Sequence, residues 1–311
     1  MPKVLVTGGA GYVGSVLIPE LLHKGYHVKV LDNLMYNSMS LLPYFVDDRF
    51  EFIKGDVRDE KIVQQALMDV DCIIHLAAIV GAPACQRDTR LAEEVNFNGT
   101  ANIHKHRSRA QGMVYASTGS NYGAVENGMC TEQTPLNPLS VYGVTKTNAE
   151  KLLLDSGNVV AYRFATAFGL SPRLRLDLLI NDFAFQAVKN GSIIIYEKHF
   201  KRTFIHVRDM ARSFLFALEN YAQLRGEVYN VGSEAMNFTK EEIALKIKDK
   251  VNYFLYFADV GADPDQRNYE VSYEKIRSKG FETAISVEKG IDELIKAYRT
   301  ISLIRPFSNV D

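Results

Sequence analysis

Short runs rich in apolar residues recur along the first half of the chain, and helical spacing fills most of the intervals between them. The runs lie at residues 4–6, 27–31, 50–53, 72–78, 113–117 and 159–164. Runs of this kind are typical of strands in a parallel sheet that is covered on both faces. The alternation of strands and helices therefore predicts an α/β fold, with a doubly wound parallel sheet and right-handed crossovers.

The first run leads into a glycine-rich turn, residues 7–14, which a helical pattern follows at once. Glycines let the chain turn tightly and let backbone N–H groups approach a pyrophosphate, which then lies at the positive end of the helix dipole. The second strand ends in Asp32, whose carboxylate can accept hydrogen bonds from an adenosine ribose and would repel a 2′-phosphate. We therefore predict NAD as cofactor rather than NADP. A glycine-rich turn beside an ordinary surface aspartate is the alternative.

The regular alternation ends at Gly169. Beyond it we predict a helix near residues 177–189, a strand at 193–196, and strands at 202–207 and 228–231 that return to the main sheet. The chain is long enough for two lobes. We predict an NAD-binding Rossmann domain at residues 1–169, with the return at about 202–232. A smaller, discontinuous α/β lobe at 170–201 and 233–311 is expected to bind the substrate.

Composition and charge narrow the class of protein. A formal net charge of -1 over 311 residues offers no basic field to a nucleic-acid backbone. No apolar run approaches the roughly 20 residues that span a bilayer, and a core strand follows the first residues directly. We expect a cytoplasmic protein with no nucleic-acid or membrane partner. Cys72, Cys85 and Cys130 lack C-x-x-C spacing, so we expect free thiols and no metal site.

A tyrosine and a lysine, Tyr142 and Lys146, are four residues apart at the start of a predicted helix. This spacing places both side chains on one helix face. A tyrosine titrates near 10 in water, so a base near pH 7 needs a shift of about three units, or about 4 kcal/mol. The lysine ammonium and the positive ring of NAD⁺ could both favour the phenolate. A surface tyrosine and lysine are the alternative interpretation.

Two hydroxyl residues, Ser117 and Thr118, end a predicted parallel strand. Ligands of doubly wound folds bind at that edge of the sheet. A hydroxyl there can hydrogen-bond a substrate alcohol and stabilise developing alkoxide character. A turn-forming Ser-Thr-Gly sequence is the alternative.

Several motifs together carry a resemblance to a known family. They lie at residues 7–14, 32–33, 55–57, 75–78, 96–100, 117–118, 142–146 and 202–209. With them the chain resembles the extended short-chain dehydrogenase/reductase superfamily, and more narrowly the NAD-dependent nucleotide-sugar epimerase/dehydratase family. Residues 80–83, 178–183 and 199–206 are similar to bacterial GDP-heptose 4-dehydrogenases.

The resemblance implies a role for each matching residue. The implied catalytic residues are Thr118, Tyr142 and Lys146. The implied NAD-binding residues are Gly8, Gly11, Tyr12, Val13, Asp32, Asn33, Asp56, Val57, Leu76, Ala77, Ala78, Ser117, Tyr142 and Lys146. The implied substrate-binding residues are Val80, Thr118, Asn181, Arg202 and Arg267. The planar fork of arginine suits a nucleotide diphosphate, although both arginines could instead be ordinary surface residues.

Two departures from the family pattern bear on the chemistry. In sugar 4,6-dehydratases the threonine is followed by Asp and Glu, which carry the protons of water elimination, whereas this chain has Gly119 and Ser120. We therefore disfavour a dehydratase. Thr166 stands where many relatives have an asparagine that contacts the substrate diphosphate.

The leading hypothesis is NAD-dependent oxidation at C4 of a nucleotide-activated sugar, linked to GDP, UDP or dTDP, by a 4-epimerase or a 4-dehydrogenase. A 4,6-dehydratase or 4-ketoreductase of the same family is an alternative, as is a catalytically silent NAD-sensing regulator. The resemblance also implies a homodimer that forms through helices near residues 92–109 and 142–155.

Overall fold

A computed structural model describes residues 2–258, 268–301 and 309. Its strands are β1 (Lys3–Thr7), β2 (His27–Asp32), β3 (Phe50–Lys54), β4 (Cys72–His75), β5 (Gly112–Thr118), β6 (Ala124–Cys130), β7 (Val159–Phe164), β8 (Thr166–Phe168), β9 (Ser192–Tyr196), β10 (Lys201–His206), β11 (Val228–Val231), β12 (Asn237–Thr239), β13 (Phe254–Ala258) and β14 (Asn268–Val271). Its helices are α1 (Gly14–His23), α2 (Glu60–Leu67), α3 (Ala82–Arg87), α4 (Thr89–Glu93), α5 (Gly99–His106), α6 (Val141–Leu154), α7 (Leu179–Phe185), α8 (Val207–Glu219), α9 (Tyr221–Leu224), α10 (Lys240–Lys248), α11 (Glu274–Arg277) and α12 (Val287–Thr300).

The main sheet has seven parallel strands in the order β11-β7-β5-β4-β1-β2-β3. Within β1, Val4 and Val6 face the core shared with α1 and α8, whereas Leu5 faces the core shared with α2, α5 and α6. Both faces of the sheet are therefore covered, as apolar runs in parallel strands require. The prediction of a doubly wound α/β fold of the Rossmann type is confirmed.

The strand order reverses at β1, which lies between β2 and β4. The chain leaves β1 and β4 toward opposite sides there, and their carboxyl ends open a crevice at the edge of the sheet. The glycine-rich turn follows β1, and Ser117 and Thr118 end β5, two strands away. The sequence motifs therefore meet at one edge.

Beyond β7, the described residues contribute only β11 to the main sheet, where it pairs with β7. The prediction that residues 202–207 also return there is wrong, because β10 pairs with β8 and β12 in a separate three-stranded sheet. An apolar strand pattern specifies burial but does not specify the neighbouring strand. Two short pairs, β9 with β13 and β6 with β14, complete the strands of the described residues.

A third core lies apart from the two that flank the main sheet. It joins β9, α7, α10 and α12 through residues such as Ile193, Ile180, Ile243 and Leu294. The boundaries that we predict for the two lobes stay a prediction. Within the described part of the chain, every helix is too short or too polar to cross a membrane.

Candidate active site

A cavity of about 270 Å³ opens at the carboxyl edge of the main sheet. Its walls come from the glycine-rich turn, the loops after β2, β3 and β4, the end of β5, the start of α6, and residues 164–178. This is the position at which doubly wound folds bind their ligands.

The glycine-rich turn runs closely past the loop that follows β4. Gly8 has a φ of +71°, and a Cβ atom built on it would lie 2.7 Å from the backbone nitrogen of Ala77. A Cβ atom on Gly14 would clash with the carbonyl oxygen of Gly9. Side chains at these two positions would therefore push the turn away from β4 and from the start of α1.

Asp32 ends β2 with its carboxylate held by two backbone groups. Ala10 N donates to Oδ2 at 3.0 Å and Leu34 N donates to Oδ1 at 2.8 Å. Burial raises the pKa of Asp32, and these two hydrogen bonds oppose the shift. Asn33 Nδ2 donates to Asp56 Oδ2 at 2.9 Å, which ties the loops after β2 and β3 together.

Ser117 and Thr118 line the cavity at the end of β5. The Oγ of Ser117 donates to Glu150 Oε2 at 2.5 Å, so this hydroxyl is engaged by the protein. Thr118 Oγ1 accepts from Ser120 N at 3.1 Å, and it lies 3.1 Å from Ser120 Oγ. Because the bond to Ser120 Oγ joins two hydroxyls, it can exchange for one to a ligand.

Tyr142 and Lys146 lie in the first turns of α6, and both line the cavity. The helix begins after Ser140, whose hydroxyl accepts from Gly143 N at 3.1 Å. Lys146 is only 2% exposed, and its Nζ lies 4.0 Å from the ring centroid of Tyr115. Burial lowers the pKa of Lys146 to about 7, and the carboxylate of Glu150 opposes that shift. Both residues of the predicted pair therefore reach the same cavity from one helix, and their catalytic roles stay a prediction.

Two arginines that we did not predict as site residues also line the cavity. Arg173 and Arg175 are 2% and 7% exposed, and both lie in the irregular segment between β8 and α7. Arg175 Nη2 forms an ion pair with Asp177 Oδ2 at 2.5 Å, and its charge also interacts with Tyr142. Arginines that alternate with leucines after Gly169 are the sequence signal that could have identified them.

Most of the residues assigned to the site from sequence line this one cavity. They are Gly8, Gly11, Tyr12, Val13, Asp32, Asn33, Asp56, Val57, Leu76, Ala77, Ala78, Val80, Ser117, Thr118, Tyr142 and Lys146. Their individual roles stay predictions. Arg267 lies outside the described residues.

Asn181 and Arg202 lie outside the cavity wall formed by the described residues. Asn181 is fully buried, and it accepts from Gly169 N at 2.8 Å and donates to the carbonyl oxygen of Arg175 at 2.9 Å. It therefore supports the segment that carries the two arginines. Arg202, 3% exposed on β10, donates to the carbonyl oxygen of Lys201 at 3.0 Å.

Comparison with known proteins identifies the family. The sequence profile of the NAD dependent epimerase/dehydratase family matches residues 4–232. A putative UDP-glucose 4-epimerase from Methanocaldococcus jannaschii is 27% identical over 308 residues, which cover 94% of this chain and 97% of that protein.

Two solved structures share the fold over nearly the whole chain. A UDP-glucose 4-epimerase from Thermus thermophilus, in complex with NAD, is 26% identical, with a TM-score of 0.83 over 96% of this chain and 99% of that one. A dTDP-glucose 4,6-dehydratase from Streptomyces venezuelae, with NAD bound, is 27% identical, with a TM-score of 0.86 over 96% of this chain and 97% of that one. The family match runs from the second residue of β1 to just past β11, so it spans the main sheet. The resemblance seen in the sequence is confirmed: the chain belongs to the NAD dependent epimerase/dehydratase family, and its cofactor is NAD.

Proposed function

We propose that this protein oxidises the C4 hydroxyl of a nucleotide-activated sugar, as an NAD-dependent 4-epimerase or 4-dehydrogenase. The observation that carries the proposal is that Thr118, Tyr142 and Lys146 line the same cavity as the glycine-rich turn and Asp32. A substrate alcohol bound at Tyr142 therefore lies in the same cavity as the cofactor. The relatives that are named 4-epimerases and 4,6-dehydratases support a sugar nucleotide as the substrate class.

The residues of the cavity fit NAD. Gly8, Gly9, Gly11 and Gly14 carry no side chains, so a diphosphate can approach the backbone N–H groups of the turn. The carboxylate of Asp32 keeps free lone pairs beyond the hydrogen bonds from Ala10 and Leu34, and these can accept ribose hydroxyls. When bound, NAD supplies the hydride acceptor.

Tyr142 is the proposed base. Its phenolate takes the proton of the C4 hydroxyl. The phenolate is favoured by the guanidinium of Arg175, whose charge interacts with Tyr142, and by the ammonium of Lys146 one turn along the same helix. Lys146 can act in this way only while it is protonated, and the neighbouring carboxylate of Glu150 favours that state. The hydroxyl of Thr118 orients the substrate oxygen by a hydrogen bond.

The chemistry beside Thr118 favours oxidation without loss of water. A side chain at position 119 would begin 3.1 Å from the hydroxyl of Tyr269 and 3.3 Å from the carbonyl oxygen of Phe164, so a carboxylate has little room there. Ser120 lines the cavity but offers only a hydroxyl. Neither position supplies the acid and base of an elimination.

The test incubates the purified protein and NAD with a panel of UDP-, GDP-, dTDP- and CDP-sugars, and follows the products by mass spectrometry and NMR. A C4 epimer has the mass of the substrate, a 4-keto product has lost two hydrogens, and a dehydratase product has lost water. We expect a C4 epimer or a 4-keto product, formed from sugars linked to one of the nucleotides. A product that has lost water would overturn the proposal.

Tyr142→Phe is the informative variant, and Tyr256→Phe, at an exposed tyrosine of β13, is the matched control. We expect Tyr142→Phe to lose activity while it still binds NAD. We expect Tyr256→Phe to keep its activity. Full activity in Tyr142→Phe would show that the base is another residue. If NAD binds but no sugar reacts, the NAD-sensing alternative replaces the enzyme.

A further inference from the structure

Residues 169–175 cross directly over the glycine-rich turn. Tyr12 Oη donates to the carbonyl oxygen of Gly169 at 2.7 Å, and Ser171 Oγ donates to the carbonyl oxygen of Tyr12 at 2.7 Å. The hydroxyls of Ser15 and Ser171 lie 2.8 Å apart. The segment from the second half of the chain is thus fastened to both the turn and the first turn of α1.

Arg173 lies in this segment and reaches across the cavity wall to the loop after β2. Its guanidinium carbon lies 4.2 Å from the ring centroid of Tyr36, four residues beyond Asp32. Its backbone nitrogen donates to Ser171 Oγ at 3.2 Å. The guanidinium therefore lies on the cavity wall beside the loop that follows Asp32.

The guanidinium of Arg173 is buried without an anionic partner among the described residues. Its Nε and Nη2 atoms have no hydrogen-bond acceptor there, whereas the neighbouring Arg175 is paired with Asp177. Asp177 and Asp32 act on Arg173 only through space, since Asp177 is paired with Arg175 and the oxygens of Asp32 accept from Ala10 and Leu34. A buried, unpaired cation is unfavourable, so its retention beside a cavity indicates an anion that arrives with a ligand.

The position of Arg173 indicates which anion it binds. The N–H groups of a glycine-rich turn and a helix N-terminus contact a cofactor diphosphate from one side. Arg173 lines the same cavity on the segment that lies over that turn, and its planar fork can bind two phosphate oxygens at once. We propose that Arg173 binds the diphosphate of NAD from the side opposite the glycine-rich turn.

This contact makes cofactor binding depend on both halves of the chain. The first half supplies the turn and Asp32, and the segment after β8 supplies the cation. Arg173 also offsets the repulsion between the diphosphate and the carboxylate of Asp32. The inference rests on NAD as the cofactor and is independent of which sugar is oxidised.

The test measures dissociation constants by calorimetry on the full chain freed of nucleotide, with NAD, ADP and adenosine as ligands. Arg173→Met removes the charge and keeps an apolar stem, and Arg225→Met at an exposed arginine is the matched control. We expect Arg173→Met to bind NAD and ADP about tenfold more weakly or worse, because it loses a charge-assisted hydrogen bond to a phosphate. Adenosine, which has no phosphate, should bind unchanged, and Arg225→Met should bind all three as the wild type does.

Several outcomes overturn the proposal. The proposal fails if Arg173→Met binds NAD and ADP as tightly as the wild type does. It also fails if the variant's affinity for adenosine falls as much as its affinity for NAD and ADP. If Arg173→Met weakens only the binding of UDP or GDP to the NAD-saturated protein, Arg173 contacts the substrate diphosphate instead. If Arg173→Met does not fold, a crystal structure of the unchanged protein with NAD decides: we expect a phosphate oxygen within hydrogen-bond distance of Arg173, and its absence contradicts the proposal.

Discussion

Lys146 is a buried cation whose charge is sensitive to its surroundings. Burial lowers its pKa to about 7, and Glu150, one turn further along α6, opposes that shift. His75 on β4 and Cys85 on α3 are the other titratable groups whose electrostatic interaction with it is resolved within the described chain. The ammonium is therefore partly neutralised near neutral pH, and the role we assign to Tyr142 depends on it.

Lys146→Met is expected to lower kcat at pH 7 by about 10²–10⁴, the range typical of general acid–base catalysis. The acidic limb of the pH profile is also expected to move to higher pH, because the phenolate of Tyr142 loses a neighbouring cation. Steady-state rates between about pH 6 and pH 10 measure both effects. Lys248→Met, at an exposed lysine of α10, is the control, and an unshifted profile in Lys146→Met would argue against this role.

At the scale of elements, a buried network around Glu150 fastens α6 to the main sheet. Arg163 of β7 donates to Glu150 Oε1 from Nη2 at 2.6 Å and from Nε at 3.1 Å. Ser117 of β5 donates to the other carboxylate oxygen. The helix that carries Tyr142 and Lys146 is thereby held in register with the strand that carries Thr118.

Glu150→Gln is expected to lower the free energy of unfolding by about 3–5 kcal/mol, because Arg163 then stays buried without its counter-ion. The double variant Glu150→Leu, Arg163→Met is expected to lose less, since neither charge remains. Urea denaturation of the three proteins measures the differences. A single variant as stable as the wild type would mean that the network does not hold the helix.

The predicted elements of the first half lie within a few residues of the observed ones. We predicted strands at 27–31 and 113–117, and the structure has β2 at His27–Asp32 and β5 at Gly112–Thr118. The strands β6 and β8 were not predicted, because β6 contains glycine and polar residues and β8 is only three residues long. A periodic signal needs a longer and more regular run than either provides.

At the scale of the whole molecule, two buried histidines link stability to pH. Burial lowers the pKa of His75 to about 3 and that of His206 to about 4. The hydroxyl of Thr100 donates to the carbonyl oxygen of Asn96, so it accepts from His75 Nε2, and His75 Nδ1 accepts from Thr7. The ring of His75 is thus held in its neutral form.

Each of these histidines binds a proton more readily in the unfolded chain than in the folded protein. As the pH falls below about 6.5, the free energy of unfolding is expected to drop by about 1.4 kcal/mol per unit for each histidine, until the folded pKa is reached. Urea denaturation at several pH values measures the slope. His206→Gln is expected to have a smaller slope than the wild type, and equal slopes would contradict the prediction.

The homodimer implied by the family resemblance is a further prediction for the whole molecule. Val144, on α6, is 42% exposed, within one of the two helices expected at the interface. Light scattering is expected to report the mass of two chains for the wild type and a shift toward one for Val144→Glu. Val46→Glu, at a residue that is 89% exposed outside those helices, is the control. A wild-type mass of one chain would remove the prediction.

Features that depend on residues close together in the chain could be predicted before the fold was known. The strand, glycine-rich turn and helix at residues 4–23 follow from local backbone freedom and apolar period, and the shared face of Tyr142 and Lys146 follows from helix geometry. The meeting of these motifs at one edge was also predictable, because parallel strands place their carboxyl ends together.

The distant segments that complete the cavity are set by the folding of the whole chain. It brought Arg173 and Arg175 over the glycine-rich turn, placed Asn181 behind them, and paired β10 with β8 and β12. These contacts join residues far apart in the chain through hydrogen bonds and packing, so no local period encodes them. The sequence therefore predicted the glycine-rich turn and the strand ends of the site, and the fold placed the segment with Arg173 and Arg175 against them.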